Sequence, residues 1–352
     1  MEFGFSEEQI LLQDSINKFL SEEVPLDEVR KLCIKIEDKS VWMSLADLGI
    51  AGMLIPEAYG GVGLGTLEAA IVSEQLGFHV TPSPFISSAV IAPTILLSAK
   101  RHLDLLPSLA DGSTRIGIAI GDALALRHDK GIVANKGLLN GKASFVLDSH
   151  ADAYLVATQN KSIYLVNAID VTRNNRTSID LTRSTCELLL EGCKASLVSN
   201  DSHIFDQAIN IGRIMLAADT LGAGQNMVEK SVAYAKERKQ FDRTIASFQA
   251  VKHMCAEMTA DLEPCRSMVW YASHAYDNLP QETAFTSCQC KAHLSEIGKF
   301  VAKTSTEVHG GMGFTDLVGL HYWFKRIGFN RQILGTPEML REEAARLQGL
   351  IA

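Results

Sequence analysis

From residue 204 onward, apolar side chains recur at helical intervals over stretches too long for any sheet fold. Ile214, Ala218, Leu221, Gln225, Val228, Val232 and Ala235 follow one another at alternating four- and three-residue steps. A second run, beginning near Ser247, places Val251, Cys255, Met258, Leu262, Cys265 and Val269 at the same spacing. Such a stripe lies along one side of an α-helix and has to be covered. Carried on to Tyr276, the second helix is about 45 Å long at about 1.5 Å per residue. Pro264 removes one backbone bond within it and predicts a kink. Long helices with seams of this kind cover one another side by side. Residues 204–352 are therefore expected to form a four-helix bundle.

The chain before the bundle reads differently. Between 113 and 203 the periodicity changes to short apolar or β-branched runs, Ile116–Ile120, Ala153–Ala157, Ser162–Val166 and Cys186–Leu190, separated by polar turns. These predict a small β-domain. Asn140-Gly141 predicts a two-residue hairpin, since both residues tolerate positive φ. Residues 1–112 read as helical again. Ser6-Glu7-Glu8-Gln9 has the form of a capping box, with Leu12, Ile16, Phe19 and Leu20 on one face behind it. The segment Val41–Leu48 predicts a short helix ended by Gly49. Ile55–Gly63 is too rich in Gly and Pro to stay helical, and helix resumes over Thr66–Leu76.

A few bulk properties narrow the function. The formal net charge of −8 argues against bulk nucleic-acid binding. No run of about eighteen apolar residues predicts a membrane span. The N-terminus, MEFGFSEEQI, lacks the basic start and apolar stretch of a secretion signal, so a cytoplasmic chain is expected. The seven cysteines are odd in number, irregularly spaced and without a CxxC, as expected of reduced structural thiols.

Several motifs then fall in a fixed order: Pro56-Glu57-Ala58-Tyr59-Gly60-Gly61-Val62-Gly63, Arg238-Lys239-Gln240-Phe241-Asp242, Phe248-Gln249-Ala250 with His253, His309-Gly310-Gly311, and Gly335-Thr336. Together, and with the helix–sheet–helix order, they resemble the acyl-CoA dehydrogenase family along nearly the whole chain. The resemblance implies FAD held between two subunits. One subunit cradles the flavin ring beside the acyl chain, and its neighbour reaches over to the pyrophosphate and adenosine. The implied lending set is Arg238, Gln240, Phe241, Gln249, Glu307, Gly310 and Gly311. An arginine suits the pyrophosphate because its charge is permanent and its donors form a fork. Glu307 departs from the glutamine common there, and a carboxylate near phosphates is unhelpful.

The set that should hold the flavin ring is poorer. The family's Thr/Ser-Glu-Pro element is replaced by Ile120-Gly121-Asp122-Ala123-Leu124, and its Trp-Ile-Thr stretch by Phe145-Val146-Leu147. Thr336 alone survives. The base is missing altogether. The reaction that the resemblance implies removes an α-proton from a CoA thioester, and a C–H proton needs a carboxylate within reach, poised by burial. The residue before Gly335-Thr336 is Leu334. The alternative position, just before Arg213, is Gly212. Glu338 and Asp316 are possible substitutes.

Three readings follow. In the first, this chain is a subunit of a heteromeric acyl-CoA dehydrogenase, a heterotetramer with a homologous subunit that carries the base. It would act on a bulky acyl-CoA of steroid side-chain or dicarboxylate type, with an electron-transfer flavoprotein taking the electrons. In the second, it is a homomeric dehydrogenase with a displaced base at Glu338 or Asp316. In the third, it is a flavin-free scaffold.

Overall fold

The computed structural model describes residues 4–35, 38–124, 131–176 and 178–351. The chain opens with helices α1 (Glu7–Glu23), α2 (Leu26–Ile34), α3 (Ser40–Asp47), α4 (Thr66–Phe78), α5 (Ala92–Ala99) and α6 (Leu106–Ala110). The capping box at α1 forms as expected: the Gln9 amide donates to Ser6 Oγ at 3.2 Å and the Ser6 amide to Gln9 Oε1 at 2.9 Å. Just before α5, Phe85–Ile91 winds as a π-helix with every residue buried. Pro93 has no amide hydrogen, and the wide ladder gives way to α5 next to it.

A β-sheet follows, built from β1 (Ile116–Ala119), β2 (Val133–Asn135), β3 (Leu138–Leu147), β4 (Ala153–Ala157), β5 (Ile163–Asn167), β6 (Thr172–Asn175), β7 (Thr185–Lys194) and β8 (Ser196–Ser199). The strand order is β6-β7-β3-β1-β4-β5-β8, with β2 on β3. Only β1 and β4 run parallel among these pairs. The expected hairpin at Asn140-Gly141 is not there. Both residues lie inside β3 and pair with Glu191 and Leu190 of β7. The chain instead turns at Lys136-Gly137, both at positive φ, between β2 and β3. Asn140 serves as an acceptor across the sheet, taking the Gly192 amide on its Oδ1 at 2.8 Å.

The helices return with α7 (Ser202–Glu237), which ends in a small hairpin of β9 (Lys239–Gln240) and β10 (Arg243–Thr244). Then come α8 (Gln249–Leu262), α9 (Pro264–Asn278), α10 (Pro280–His309), α11 (Leu320–Gln332) and α12 (Pro337–Leu347). The single long helix expected over 247–276 is thus two, divided where Pro264 lacks an amide, while Glu263 keeps helical dihedrals. The seam on α7 is also incomplete as a description. From Ala208 to Gly224 the helix is buried on every face, because α4, α5, α10 and α11 surround it. No described helix is long and apolar enough to cross a membrane.

Contact between α4 and α7 reaches backbone to backbone. A Cβ on Gly77 would lie 2.0 Å from the Asp219 carbonyl oxygen, and one on Gly222 would lie 1.8 Å from that of Glu74. Neither obstacle is a side chain that could turn away. Gly222→Ala is expected to cost about 3 kcal/mol or more by forcing the helices apart. Gly328→Ala on α11, facing open space, should be neutral or slightly stabilising. Urea unfolding of the two variants side by side checks this.

The junction of helices and sheet is polar and closed. Arg326 is fully buried; it donates to Thr182 Oγ1 (2.8 Å) and the Thr81 carbonyl (3.0 Å), and its guanidinium meets Asp219 at 3.0 Å and Asp180 at 3.2 Å. Arg183 approaches Asp219 at 2.9 Å, and Asn330 donates to the same carboxylate at 2.6 Å. Segments from α4's exit, the connection between β6 and β7, α7 and α11 meet here around two arginines and two aspartates.

Candidate active site

The sheet and the C-terminal helices enclose a cavity of about 730 Å³. One wall is Ile118, Ile120, Ser144, Phe145 and Leu147 from the sheet. The other is Phe329 and Gln332 at the end of α11, the turn Ile333–Thr336, and Met339 of α12. Phe145 sits at a register shift in β3 with φ +52, and is two-thirds exposed. The side chain between these two wall residues, Val146, is buried on the other side of the sheet.

The turn carries the site's most specific geometry. Leu334 adopts φ +57 and is 5% exposed. Its side chain lies against α7, where a Cβ on Gly212 would sit 2.5 Å from Leu334 Cδ1 and 3.0 Å from Ile91 Cδ1. The two positions at which a base was expected are therefore neighbours in space, and the point they share is filled with hydrocarbon. Behind the turn, Arg213 Nε donates to the Leu334 carbonyl at 3.0 Å and Lys291 Nζ to that of Gly335 at 2.7 Å. Both cations are about 1% exposed. Arg213 is balanced by a fork onto Glu343, 2.8 Å on each side, and its Nη1 lies 3.1 Å from Cys288 Sγ. Burial pushes the Lys291 ammonium down to about 7, with the neighbouring Arg213 adding to the effect. Thr336 caps α12, accepting the Met339 amide at 3.4 Å.

Neither candidate substitute base lines the cavity. Glu338 points outward to Arg331 at 3.2 Å, and backbone and Thr336 hydrogen bonds hold its carboxyl below the usual range. Asp316 lies beyond α10, near Arg30 (3.4 Å) and His321 (3.7 Å). The carboxylates that do line the cavity, Asp122 and Glu187, belong to the sheet wall. Asp122 accepts the Ser144 amide at 2.6 Å. Glu187 is paired with Lys142 and with Arg176 at 3.2 Å, and Lys142 holds its carboxyl low. A base for a C–H proton needs the opposite shift.

The lending set lies elsewhere; of the expected cofactor residues, Thr336 alone is in the cavity wall. Arg238 ends α7 and is exposed, with no ion pair on its guanidinium among the described residues. Gln240 and Phe241 follow in the hairpin, where Phe241 and Asp242 turn at positive φ and Phe241 is 86% exposed. Phe248, edge-on to Phe241 at 6.1 Å and under Arg243 at 4.1 Å, stiffens the hairpin. Gln249 begins α8 and contacts His253 at 3.2 Å. Gly310 and Gly311 follow α10, and open space lies where a Cβ would stand at each. Glu307 is half-exposed and faces Lys303 at 3.6 Å. His309 is buried, stacked on Tyr234 at 4.6 Å, and its Nδ1 donates to the Ser305 carbonyl at 2.8 Å.

The acyl-CoA dehydrogenase N-terminal domain matches residues 6–113 and the C-terminal domain residues 203–348. Acyl-CoA dehydrogenase IpdE2 of Mycobacterium tuberculosis is 31% identical over 307 residues, covering 86% of this chain and 85% of its own. The chain belongs to the acyl-CoA dehydrogenase family. Among solved structures sharing the fold is the ChsE4–ChsE5 complex of Mycobacterium tuberculosis, with a TM-score of 0.89 at 24% identity and full coverage of both chains. The Tcur3481–Tcur3483 steroid ACAD gives 0.88 at 24%, covering 98% of each.

FAD is the cofactor of acyl-CoA dehydrogenases. The exposed half of this chain's site fits it: an unpaired arginine, an exposed aromatic hairpin and open glycines suit a pyrophosphate and adenosine reaching in from outside. The cavity wall is mixed in character. It presents the carboxylates of Asp122 and Glu187 and the carbon of Phe145 and Leu147, with the polar side chains of Ser144, Thr185, Gln332 and Thr336 among them. Lys291 and Glu343 were not foreseen from sequence. The only signal was a lysine set among small and apolar residues in Cys288-Gln289-Cys290-Lys291-Ala292.

Proposed function

We propose that this chain is the base-less subunit of a heteromeric acyl-CoA dehydrogenase that desaturates a bulky acyl-CoA. It lends Arg238, Gln240, Phe241 and the Gly310–Gly311 turn to FAD seated in a homologous partner, and that partner carries the base. The observation that carries this reading is the convergence of Gly212 and Leu334 on one hydrocarbon-filled point, while the lending surface keeps its arginine. FAD, when bound, accepts the hydride from the thioester's β-carbon. The work of this chain is to fix the pyrophosphate from outside, with Arg238 as the fork and the glycines allowing close backbone approach. An electron-transfer flavoprotein is the proposed electron acceptor. The steroid ACAD and the ChsE4–ChsE5 complex, a two-component assembly by name, support a mixed complex and a steroid-like substrate. A displaced base is not favoured, since Glu338 and Asp316 both pair outside the cavity.

Absorption spectroscopy tests the proposal. The chain purified alone should be colourless. After coexpression with its dehydrogenase partner, a yellow complex should carry one FAD per pair. Turnover by that complex should vanish when the partner's base is replaced by glutamine. A yellow lone chain, or failure of any homologous partner to bind, would overturn it.

A further inference from the structure

Helix α12 is lightly seated. Of its 11 residues only Pro337 and Leu340 are buried. Leu340 packs with Cys288 and Ala292 of α10 in a small apolar cluster of its own, while Cys290, two positions further along α10, belongs to the main core. A groove of about 350 Å³ still separates the two helices, between Phe285, Gln289 and His293 on one side and Leu340, Arg341 and Ala344 on the other. Two ion pairs tie α12 down. Glu338 meets Arg331 at 3.2 Å but is two-thirds exposed, where such a pair adds little. Glu343 makes the fork onto buried Arg213, 2.8 Å on each side, and is itself 41% exposed. The turn before the helix is firmer, since Arg213 and Lys291 hold the Leu334 and Gly335 carbonyls from inside. Thr336, with extended backbone, joins the held turn to the loose helix. Few buried apolar contacts mean a small free energy of local opening. We propose that α12 is a flap that swings off α10 as a unit about Thr336, with the Arg213–Glu343 fork as its latch. Met339 stands on α12 in the cavity wall, so each opening takes part of that wall away while the bundle stays folded. A cavity walled in this way can admit a rigid ligand wider than its closed mouth. The device works the same whether this chain or a partner carries the base.

Labelling of the full chain with N-ethylmaleimide, read at each cysteine by mass spectrometry, tests the flap. Cys288 under α12 and Cys290 in the main core are both closed to solvent, at 0% and 1% exposure. When opening and closing are fast, reaction follows the open population. Cys288 should therefore react about tenfold faster than Cys290, or more, in the wild type. Glu343→Gln loosens the latch and should speed Cys288 about tenfold again, with Cys290 unchanged. Leu340→Ala removes the large side chain that α12 buries against α10; it should act the same way, and it serves if the first variant does not fold. In hydrogen exchange of the wild type, the amides from Met339 to Leu347 should exchange together, ahead of those of α10 and α11. Equal labelling of the two cysteines, or exchange of α12 only along with the rest of the bundle, would overturn the flap. Fast Cys288 labelling that neither variant changes would overturn it as well, since the reagent would then enter by the groove with α12 in place.

Discussion

Arg238→Ala in this chain is expected to strip FAD from the mixed complex, although under the proposed function the flavin ring sits in the partner. Arg238 lies at the exposed end of α7, with no carboxylate paired to it among the described residues. The hairpin after it is fixed by the Phe241–Phe248 contact and the Arg243 stack. A guanidinium with no carboxylate on it can take a phosphate in a fork without first giving up an ion pair. Truncating one partner of a charged, hydrogen-bonded contact costs about 2–5 kcal/mol. At about 1.4 kcal/mol per tenfold, affinity for FAD should fall by about 30-fold to a few thousand-fold. Flavin absorbance after gel filtration, and FAD titration of the stripped complex, measure it. Arg238→Lys keeps the charge but not the fork and should fall between. Unchanged flavin content in Arg238→Ala would remove the lent half-site.

The largest loss of stability is expected from Asp219→Ala. That substitution leaves Arg183 and Arg326 facing each other in a closed interior with Asp180 as the remaining counter-charge. Removing one partner of a buried pair typically costs about 3–5 kcal/mol. Asp219→Asn keeps acceptor geometry for one donor but not the charge, and should lose less. Burial alone would raise the Asp219 carboxyl, yet the two arginines outweigh it and hold the folded value below that of the free side chain. A lowered folded pKa adds stability that is complete above the unfolded value of about 3.9 and is lost as pH falls toward the folded one. The wild type should therefore keep this contribution across neutral and mildly acidic pH, while Asp219→Ala lacks it throughout. Denaturant midpoints measured at neutral pH and near pH 3 would show the gap between the two proteins narrowing in acid. A constant gap would mean that the network is not held by charge.

Much of the fold could be read from local signals. The capping box at Ser6, the strand runs and the seam from Met258 to Val269 are each written within a few turns of chain. Misreadings arose where a distant element overrode a local preference. Asn140-Gly141 has turn chemistry, but β7 pairs straight across it, and the turn falls at Lys136-Gly137 instead. The α7 pattern points to one covered face, whereas four neighbouring helices bury nearly all of its first half. In the site, the missing carboxylates at 212 and 334 were legible as residue types. Their meeting at a single point was not, since 122 positions of chain separate them. Nor could the Arg213–Glu343 fork, the Lys291 anchor or the Arg326–Asp219 junction be found. Each joins residues from elements that only the tertiary fold brings together.

The Gly212–Leu334 pairing also sets the order in which a lineage could regain a base. A glutamate arising first at 212 meets Leu334 at its Cβ, before its carboxylate is even placed. Such a variant is selected against for folding while still gaining nothing in chemistry. A glutamate arising at 334 takes the leucine's own space, beside the Arg213 guanidinium. Reversion is thus open at one site and closed at the other until the first has changed. Under the subunit reading, descendants that keep Leu334 stay dependent on another gene product for the base.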